Sequence, residues 1–396
     1  MKNIITIAKR ELGSYFNSAI AYIYLIVFIA INNVIFISRY FLIGKADMKA
    51  YFDSLPMVLL IFIPVVTMRL WAEDKKEHTF ELLLTLPISA QELVLGKFLA
   101  AFIFYLSALS STFTVPLVLY LSGSPDTGAV IAGYLGLILS GMFFLSVGIF
   151  ISALTQEQIV AFILTTLSLF GVLFLGSDFM AYSLDGWIWG LGTFLRNYVG
   201  ASSHLVSFSR GVLDLKDAAY FICGSAVFLI LNGLSLEGRL KPKAKFTFTI
   251  AVFICLCSAV AFNWLVHDLR IGRFDLTEGK IYTVSKVSEN ILRGLKAPLT
   301  VNLYITPQEK MPTGFKTLES DIRGKLEELK LVSAGKFNFK VYHIEAARLL
   351  ESVKDRFDQS SNEEPLEKKL HRKGIVPFQV ESIERDELGL KLVYSA

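Results

Sequence analysis

The densest group of ionisable residues in the first two thirds of the chain lies in one segment, residues 72–97. Acidic and basic side chains come first, then a short apolar run that ends at Pro87, where a helix must stop. Ser89 and Glu92 have the spacing of a capping box, which predicts that a second helix begins there. A short amphipathic helix between two apolar stretches suits contact with a partner protein. The alternative is a solvated connecting loop.

The sequence lacks the motifs of the common catalytic sites. A phosphate loop needs Gly, four residues, Gly-Lys and Ser or Thr, whereas Gly272 and Gly279-Lys280 are too far apart and Ile281 follows the lysine. His-Glu-x-x-His and Gly-x-Ser-x-Gly are absent, and the five histidines are scattered. Cys255 and Cys257 would point in different directions on a helix. We therefore expect no catalytic residue, no bound cofactor and no metal in this chain.

The composition divides the chain into two parts. Of its 396 residues 53% are hydrophobic and 19% charged, and the mean hydropathy is +0.53. Charged residues make up about 12% of residues 1–266 but about 32% of residues 267–396. This contrast excludes a purely soluble enzyme and a purely embedded pore. The net charge of +4 includes no dense basic block, so nucleic acid is not an expected partner.

Seven apolar stretches are long enough to cross a bilayer, which takes roughly 20 residues. Asp126 and Glu157 fall between stretches, where tight turns are needed. The seven predicted spans are Ala19–Ser38, Ser54–Trp71, Phe98–Leu121, Thr127–Leu154, Gln158–Ser177, Ala218–Leu236 and Phe246–Val266.

The positive charges predict the orientation. With the N-terminus in the cytoplasm, the inner segments hold eleven Lys and Arg residues and the outer loops before the last span hold six. Seven spans then place residues 267–396 outside the membrane. Residues 1–18 predict an amphipathic helix, either lying along the inner membrane surface or packed on protein. Between the fifth and sixth spans, Trp187, Trp189, Phe194, Tyr198 and Phe208 suit short helices at the outer interface.

The periodicity changes after the seventh span. Residues 299–305 and 337–341 alternate as strands, and the apolar residues from Leu318 to Val332 between them have helical spacing. This β-α-β pattern predicts parallel strands in an α/β domain. A charged helix around Glu363–Lys373 and strands at Ile375–Val380 and Leu388–Tyr394 are expected to follow. We expect this domain to be a fragment, or an unusually short version, of a longer extracytoplasmic domain, because the chain stops directly after an apolar strand.

The 72–97 segment resembles the signature of the ABC type-2 permease family. His78 stands where that family usually has Gly, and the similar region extends over about Met1–Glu237, including Phe208–Asp214. The resemblance implies that this segment contacts a separate ATPase subunit. The matching residues are Glu73, Asp74, Lys75, Thr79, Glu81, Leu82, Leu83, Pro87, Glu92, Leu93, Gly96 and Lys97.

The remainder resembles the auxiliary component of gliding-motility ABC transporters. The resemblance rests on Arg273–Ser285, on the strand before Tyr304 and on Gly374–Val380. It implies a natural fusion of a permease with the start of an auxiliary protein.

The expected fold is a mainly α-helical polytopic membrane protein followed by a partial α/β extracytoplasmic domain. Its parts are an interfacial helix at 1–18, a six-span permease at 19–237, a seventh span at 246–266 and the outer domain at 267–396.

The expected function is the permease of an ATP-driven transporter, by resemblance an exporter of the bacterial inner membrane. ATP and Mg²⁺ would bind a separate subunit, and the permease would form a homodimer or heterodimer in contact with membrane lipid. The alternative is a membrane-anchored extracytoplasmic binding or signalling protein.

Overall fold

The computed structural model describes residues 2–43, 48–85, 87–185, 187, 190–239, 244–267, 272–280, 282–283, 286–295, 297–305, 318–333, 335–343, 380–386 and 389–395. The chain divides into two compact units. One contains residues 1–41 and 45–281, and the other contains residues 42–44 and 282–396. Trp189, Ile375–Gln379 and the predicted helix at Glu363–Lys373 lie outside the described residues.

The first unit is a bundle of helices with one small sheet. Its elements are α1 (Lys2–Phe16), α2 (Ala19–Ile43), α3 (Lys49–Thr67), α4 (Arg69–Lys76), α5 (Thr79–Thr85), α6 (Ala90–Ser111), α7 (Thr114–Ser122), α8 (Thr127–Leu154), α9 (Gln158–Leu175), α10 (Asp178–Asp185), α11 (Leu191–Tyr198), α12 (Ala201–Ser209), β1 (Val212–Asp214), α13 (Leu215–Arg239), α14 (Ala244–His267) and β2 (Arg273–Asp275).

Six helical segments of the described residues are long and apolar enough to cross a membrane. They are Ala19–Ser38, Lys49–Lys76, Ala90–Ser122, Thr127–Leu154, Gln158–Leu175 and Leu215–Glu237. These segments coincide with the first six predicted spans. The seventh prediction falls on α14, whose apolar part, Thr249–Leu265, is shorter. A seventh crossing therefore stays a prediction.

Helix α8 is the centre of the bundle and packs against α3, α6, α9, α12 and α13. Small residues on α8 allow large aromatic side chains to lie directly against its backbone. A Cβ atom on Gly133 would lie 2.2 Å from the Phe52 ring, and one on Gly141 would lie 2.2 Å from the Tyr105 ring. Tyr105 also donates a hydrogen bond to the Leu137 carbonyl oxygen, at 2.8 Å. The buried hydroxyl is therefore satisfied by the helix on which its ring packs.

The third predicted span is not one continuous helix. It is interrupted at Thr112 and Phe113, between α6 and α7. Pro116 has no amide hydrogen to donate to the Thr112 carbonyl oxygen four residues earlier. That oxygen instead accepts hydrogen bonds from the Val115 amide, at 2.9 Å, and from the Tyr134 hydroxyl, at 3.2 Å. The interruption is thus compensated by a side chain of α8.

The stretch between the fifth and sixth spans forms short helices, as predicted, but its aromatic residues have different environments. Trp187 is 89% exposed and Phe194 is also exposed. Phe208 is fully buried, and its side chain contacts the backbone of α8 at Gly136. Phe208 is therefore a core residue that fills the space left by a glycine, and its depth relative to a membrane interface stays a prediction.

The second unit contains α15 (Lys286–Arg293), β3 (Leu299–Ile305), α16 (Leu318–Val332), β4 (Phe337–His343), β5 (Val380–Asp386) and β6 (Gly389–Ser395). Strands β3 and β4 are parallel and in register from Leu299 opposite Phe337 to Ile305 opposite His343. This arrangement confirms the predicted β-α-β unit. Strands β5 and β6 form an antiparallel hairpin. β6 lies where a strand was predicted, whereas β5 begins at the residue where the preceding prediction ended.

The packing of α8 can be tested by enlarging Gly133. Gly133→Val is expected to lower the free energy of unfolding by about 1–3 kcal/mol, because the new side chain overlaps the Phe52 ring. Denaturant unfolding of the purified chain in detergent measures the change. Gly171→Val on α9 is the control, since no atom lies within 4 Å of its new Cβ. Equal losses in the two variants would contradict close packing at α8.

Candidate functional site

A buried lysine on α6 connects this helix with α1 and α4. It lies at the end of the bundle near α5. Lys97, on α6, is only 1% exposed. Its Nζ lies 2.6 Å from Asp74 Oδ2 on α4 and 3.2 Å from Glu11 Oε1 on α1. It also donates a hydrogen bond to the Leu70 carbonyl oxygen at 2.6 Å, and it lies 4.9 Å from the centre of a Trp71 ring. Buried ammonium groups need such partners, so Lys97 constrains α1, α4 and α6 together.

Glu11 remains ionised in this environment. Burial raises the pKa of its carboxyl group, but the positive charges of Lys97 and Arg10, with their hydrogen bonds, outweigh burial, and the net pKa lies below the ordinary value. Arg10 Nη2 lies 2.6 Å from Glu11 Oε1. The positive charges of Lys97 and Arg10 therefore balance the negative charges of Glu11 and Asp74.

Helix α1 packs on α6 along one line of contacts with a four-residue spacing. Asn3 donates a hydrogen bond to Glu92 at 3.3 Å, and Ile7 lies against Gly96, where a Cβ atom would be only 2.7 Å from the Ile7 side chain. Glu11 completes the line at Lys97. One face of α1 is thus packed on protein. Its position along a membrane surface stays a prediction.

The end of α8 is bound to α4 by polar contacts. Lys75 donates hydrogen bonds to the last carbonyl oxygens of α8, including that of Ser152 at 3.3 Å, and to that of Thr155 at 2.7 Å. The Ser152 hydroxyl oxygen accepts from the backbone amides of Trp71, at 3.2 Å, and Ala72, at 3.3 Å. A cation at a helix C-terminus is favoured by the helix dipole. These contacts fix α4 on α8.

The turn between α4 and α5 has a left-handed residue. His78 has a φ of +59°, although it is not glycine. The Thr79 hydroxyl donates to the Asp74 carbonyl oxygen at 3.2 Å and lies 3.4 Å from Asp74 Oδ1. The turn therefore has the backbone conformation for which glycine is best suited, even though histidine occupies the position.

Helix α5 has a buried face and an exposed face. Phe80 and Leu83 are buried, and the Phe80 ring packs edge-on against Trp71 at 5.9 Å between centroids. Leu82 is 66% exposed, and Glu81 is exposed beside it. The buried face of α5 is packed on α4. The exposed Leu82 on the other face is therefore a candidate contact for another protein.

The beginning of α6 confirms the predicted capping box. The Ser89 hydroxyl accepts from the Glu92 amide at 3.2 Å, and the Glu92 carboxylate accepts from the Ser89 amide at 3.3 Å. Pro87, which follows α5, is exposed. The short helix and the following span are therefore separated where the sequence predicts.

A cavity of about 420 Å³ opens between α1, α4 and α5. Acidic and basic side chains both line it, together with Thr79, Leu82 and Leu83 of α5. Among the described residues no cluster of His, Cys, Asp or Glu side chains has the proximity that a metal ion needs. The charged lining residues are Arg10, Glu11, Arg69, Glu73, Asp74, Glu77 and Lys97.

The structure brings most of the predicted site residues into one network. Asp74, Lys75, Thr79, Gly96 and Lys97 take part directly, as described above. The others lie around it: Glu73 pairs with Arg69 at 2.9 Å, Leu83 is buried, Glu92 binds α1, and Glu81, Leu82 and Pro87 are exposed.

Sequence reasoning missed several residues of this network, among them Glu11 and Ser152. Glu11 carries a weak signal, since it is the only acidic residue in an otherwise basic amphipathic helix. Ser152 carries none, because its neighbours are apolar and serine is common near helix ends.

Removing the Lys97 ammonium is expected to destabilise the bundle. Lys97→Met should lower the free energy of unfolding by about 3 kcal/mol, since Asp74 and Glu11 lose their buried cation. Adding Asp74→Asn should recover part of that loss, because one uncompensated charge disappears. Unfolding of purified variants measures both effects, with Lys76→Met as an exposed control on α4. A loss no greater than in the control would contradict the role of Lys97.

The left-handed turn generates a second expectation. His78→Gly should raise the free energy of unfolding by about 0.5–1 kcal/mol, because glycine adopts a positive φ without steric cost. His78→Ala, which keeps the Cβ atom, is the control and should show no gain. A gain in the alanine variant would show that the histidine side chain, and not its backbone conformation, is unfavourable.

Comparison with known proteins identifies two regions. Residues 30–188 match the model of the ABC-2 family transporter protein. Residues 278–396 match a domain of unknown function, DUF7088. No curated protein matches the chain significantly. The first match contains α3 to α10, and with them the 72–97 segment and Lys97. The chain therefore carries an ABC-2 family transporter permease domain at residues 30–188 and a second domain, of unknown function, at its C-terminus.

Proposed function

We propose that this chain is the membrane subunit of an ABC exporter and that a separate ATPase subunit docks on the exposed face of α5. The observation that carries the proposal is the contrast within α5. The Leu82 and Glu81 side chains are exposed, whereas the Phe80 and Leu83 side chains are buried against the end of the bundle. Members of the ABC-2 permease family are transport subunits without an ATPase site of their own. ATP and Mg²⁺ would accordingly bind the partner.

The contacts beneath α5 provide a path for coupling. A displacement of α5 acts on α4, to which it is packed through the Trp71 and Phe80 rings. Helix α4 is bound to α8 by Lys75 and to α6 by the Asp74–Lys97 pair. Both α6 and α8 are long buried helices of the bundle. Nucleotide-dependent movement of the docked subunit would thus reach the helices that line a translocation path, provided that the two nucleotide states bind α5 differently.

The cavity beside α5 suits a charged side chain of the partner. Four carboxylates and three cationic groups line it, so that the lining as a whole carries one more negative than positive group. We expect a basic residue of the ATPase subunit to enter there while an apolar pocket receives Leu82.

The membrane arrangement follows from the same proposal. Docking of an ATPase places α5 and the N-terminus in the cytoplasm, in agreement with the excess of Lys and Arg in the inner segments. Residues 267–396 would then be extracytoplasmic, and the membrane would be the bacterial inner membrane. Two copies, or this chain and a homologue, would form the path. The apolar side chains that α9 exposes, among them Ile159, Ile163 and Leu167, would face lipid or the second permease.

Truncation of Leu82 tests the docking site. In the chain co-expressed with an ABC-type ATP-binding subunit of the same organism, Leu82→Ala should weaken co-purification roughly 30-fold, as expected when an interface anchor worth about 2 kcal/mol is removed. Leu121→Ala is the matched control, because Leu121 is an exposed leucine at the end of α7.

Two results would contradict the proposal. Failure of the wild-type chain to bind any ATP-binding subunit would overturn the function. Normal binding of the Leu82→Ala variant would overturn the location of the docking site.

A further inference from the structure

At the opposite end of α8 from Lys75, residues 272–280 are bound to the bundle by backbone pairing. Strand β2, in this segment, pairs with β1 in antiparallel register, from Val212 opposite Asp275 to Asp214 opposite Arg273. The pairing continues at both ends. The Leu215 amide donates to the Gly272 carbonyl oxygen and the Leu276 amide to the Gly211 carbonyl oxygen, each at 3.1 Å. We call residues 272–280 the clasp.

The clasp is also bound to the first turn of α8 through Asp126. Asp126 Oδ1 caps the helix by accepting from the amides of Gly128, at 2.9 Å, and Ala129, at 3.2 Å. Its other oxygen, Oδ2, accepts from the Glu278 amide at 2.9 Å. One carboxylate therefore begins α8 and holds a segment 152 residues away in the sequence.

Close approach at two glycines adds shape complementarity. A Cβ atom on Gly128 would lie 1.6 Å from the Leu276 carbonyl oxygen. A Cβ atom on Gly211, where φ is +85°, would lie 2.7 Å from the Thr277 side chain. Thr277 is buried, and its amide and hydroxyl donate to Asp275 Oδ1 at 3.0 and 2.5 Å. The clasp thus lies directly against Gly128 and Gly211, where a side chain on either glycine would collide with it.

These contacts bridge two elements of the bundle. One side of the clasp is bound to the start of α8, and the other to β1, which leads directly into α13. Helices α8 and α13 pack on each other. A change in the distance between the start of α8 and β1 must therefore break the clasp or move it. The matched domain of unknown function begins at residue 278, the residue whose amide binds Asp126.

We propose that the clasp is a permanent joint that holds the outer ends of α8 and α13 together as one body during transport. The inference rests on the proposed function for its transport role. The surface formed by Asp126, Gly128 and Gly211–Asp214 is the receptor for this joint, and its occupant is the clasp, residues 272–280 of the same chain. The joint stays closed in every nucleotide state, and the outer ends of α8 and α13 move as one body with the segment they hold.

Asp126→Asn separates the two roles of this side chain. Asparagine still caps α8 through its carbonyl oxygen, but its amide nitrogen cannot accept a hydrogen bond from Glu278. Gly128→Val removes the space for the Leu276 carbonyl oxygen. The double variant is expected to release the clasp. Asp185→Asn and Gly171→Val are the matched controls, since Asp185 accepts from Thr193 elsewhere and Gly171 has open space around it.

The first measurement is hydrogen exchange of the Leu276 and Glu278 amides in full-length chain in lipid nanodiscs with its ATPase subunit. Both amides should be protected in the wild type, equally with ADP and with ATP plus vanadate. Protection should fall at least about tenfold in the double variant and stay unchanged in the controls. Free exchange in the wild type, or loss of protection on addition of nucleotide, would overturn a permanent joint.

The second measurement is ATP hydrolysis by the same complexes. Release of the clasp should change the rate about fivefold, a typical coupling between distant sites, while the ATPase subunit still co-purifies. A rate equal to that of the controls would overturn the role of the clasp in transport. Failure of the wild-type chain to bind the ATPase subunit would overturn the proposed function and this role together. If the Leu276 and Glu278 amides are nevertheless protected from exchange in that case, the clasp is a purely structural joint.

Discussion

The ammonium group of Lys97 is the constraint on which the end of the bundle near α5 depends. A buried cation is tolerated only where carboxylates and carbonyl oxygens surround it, and here these come from α1 and α4. Because the partners belong to different helices, the electrostatic requirement of one side chain determines how these helices meet. The position of α5 follows, since it is packed on α4 and joined to it by a short turn.

Helix α8 connects this site with the rest of the molecule. It has 28 residues and a length of about 42 Å, sufficient to cross a bilayer. Its last carbonyl oxygens accept from Lys75, and its first amides are capped by Asp126. The intervening surface is rich in glycine, so that neighbouring aromatic rings lie directly against the backbone. Polar contacts therefore fix both ends of the helix, while close packing without large side chains holds its middle.

Much of the helical architecture was accessible from the sequence, because transfer of apolar stretches into lipid depends on composition and length alone. The six spans coincide with long apolar helices, and the capping box of Ser89 and Glu92 is where local spacing predicts. The parallel strands β3 and β4 were equally accessible from alternation and from the helix between them. The structure departs from the predictions where a single residue changes the local hydrogen bonding or packing. Pro116 interrupts the third span, and Phe208 is buried in the core because α8 has a glycine opposite it.

The 72–97 segment shows the limit of prediction at the site. Its residues were identified as a group by local spacing and resemblance, but Glu11 and Ser152 belong to elements far away in the sequence. Their contacts depend on which helices become neighbours in the fold, and local periodicity in the sequence does not predict the neighbours of a helix.

The sequence by itself determined which stretches are apolar, where short helices begin and end, and which segment carries charge at the end of the spans. These features depend on composition, hydrogen-bond capping and the chemistry of proline, all of which act over a few residues. Only the tertiary structure decided that Lys97 meets Asp74 and Glu11, and that Asp126 holds the amide of Glu278. The physical reason is that a buried charge or an unpaired carboxylate oxygen requires a partner, and the packing of distant helices and strands determines which group that partner is.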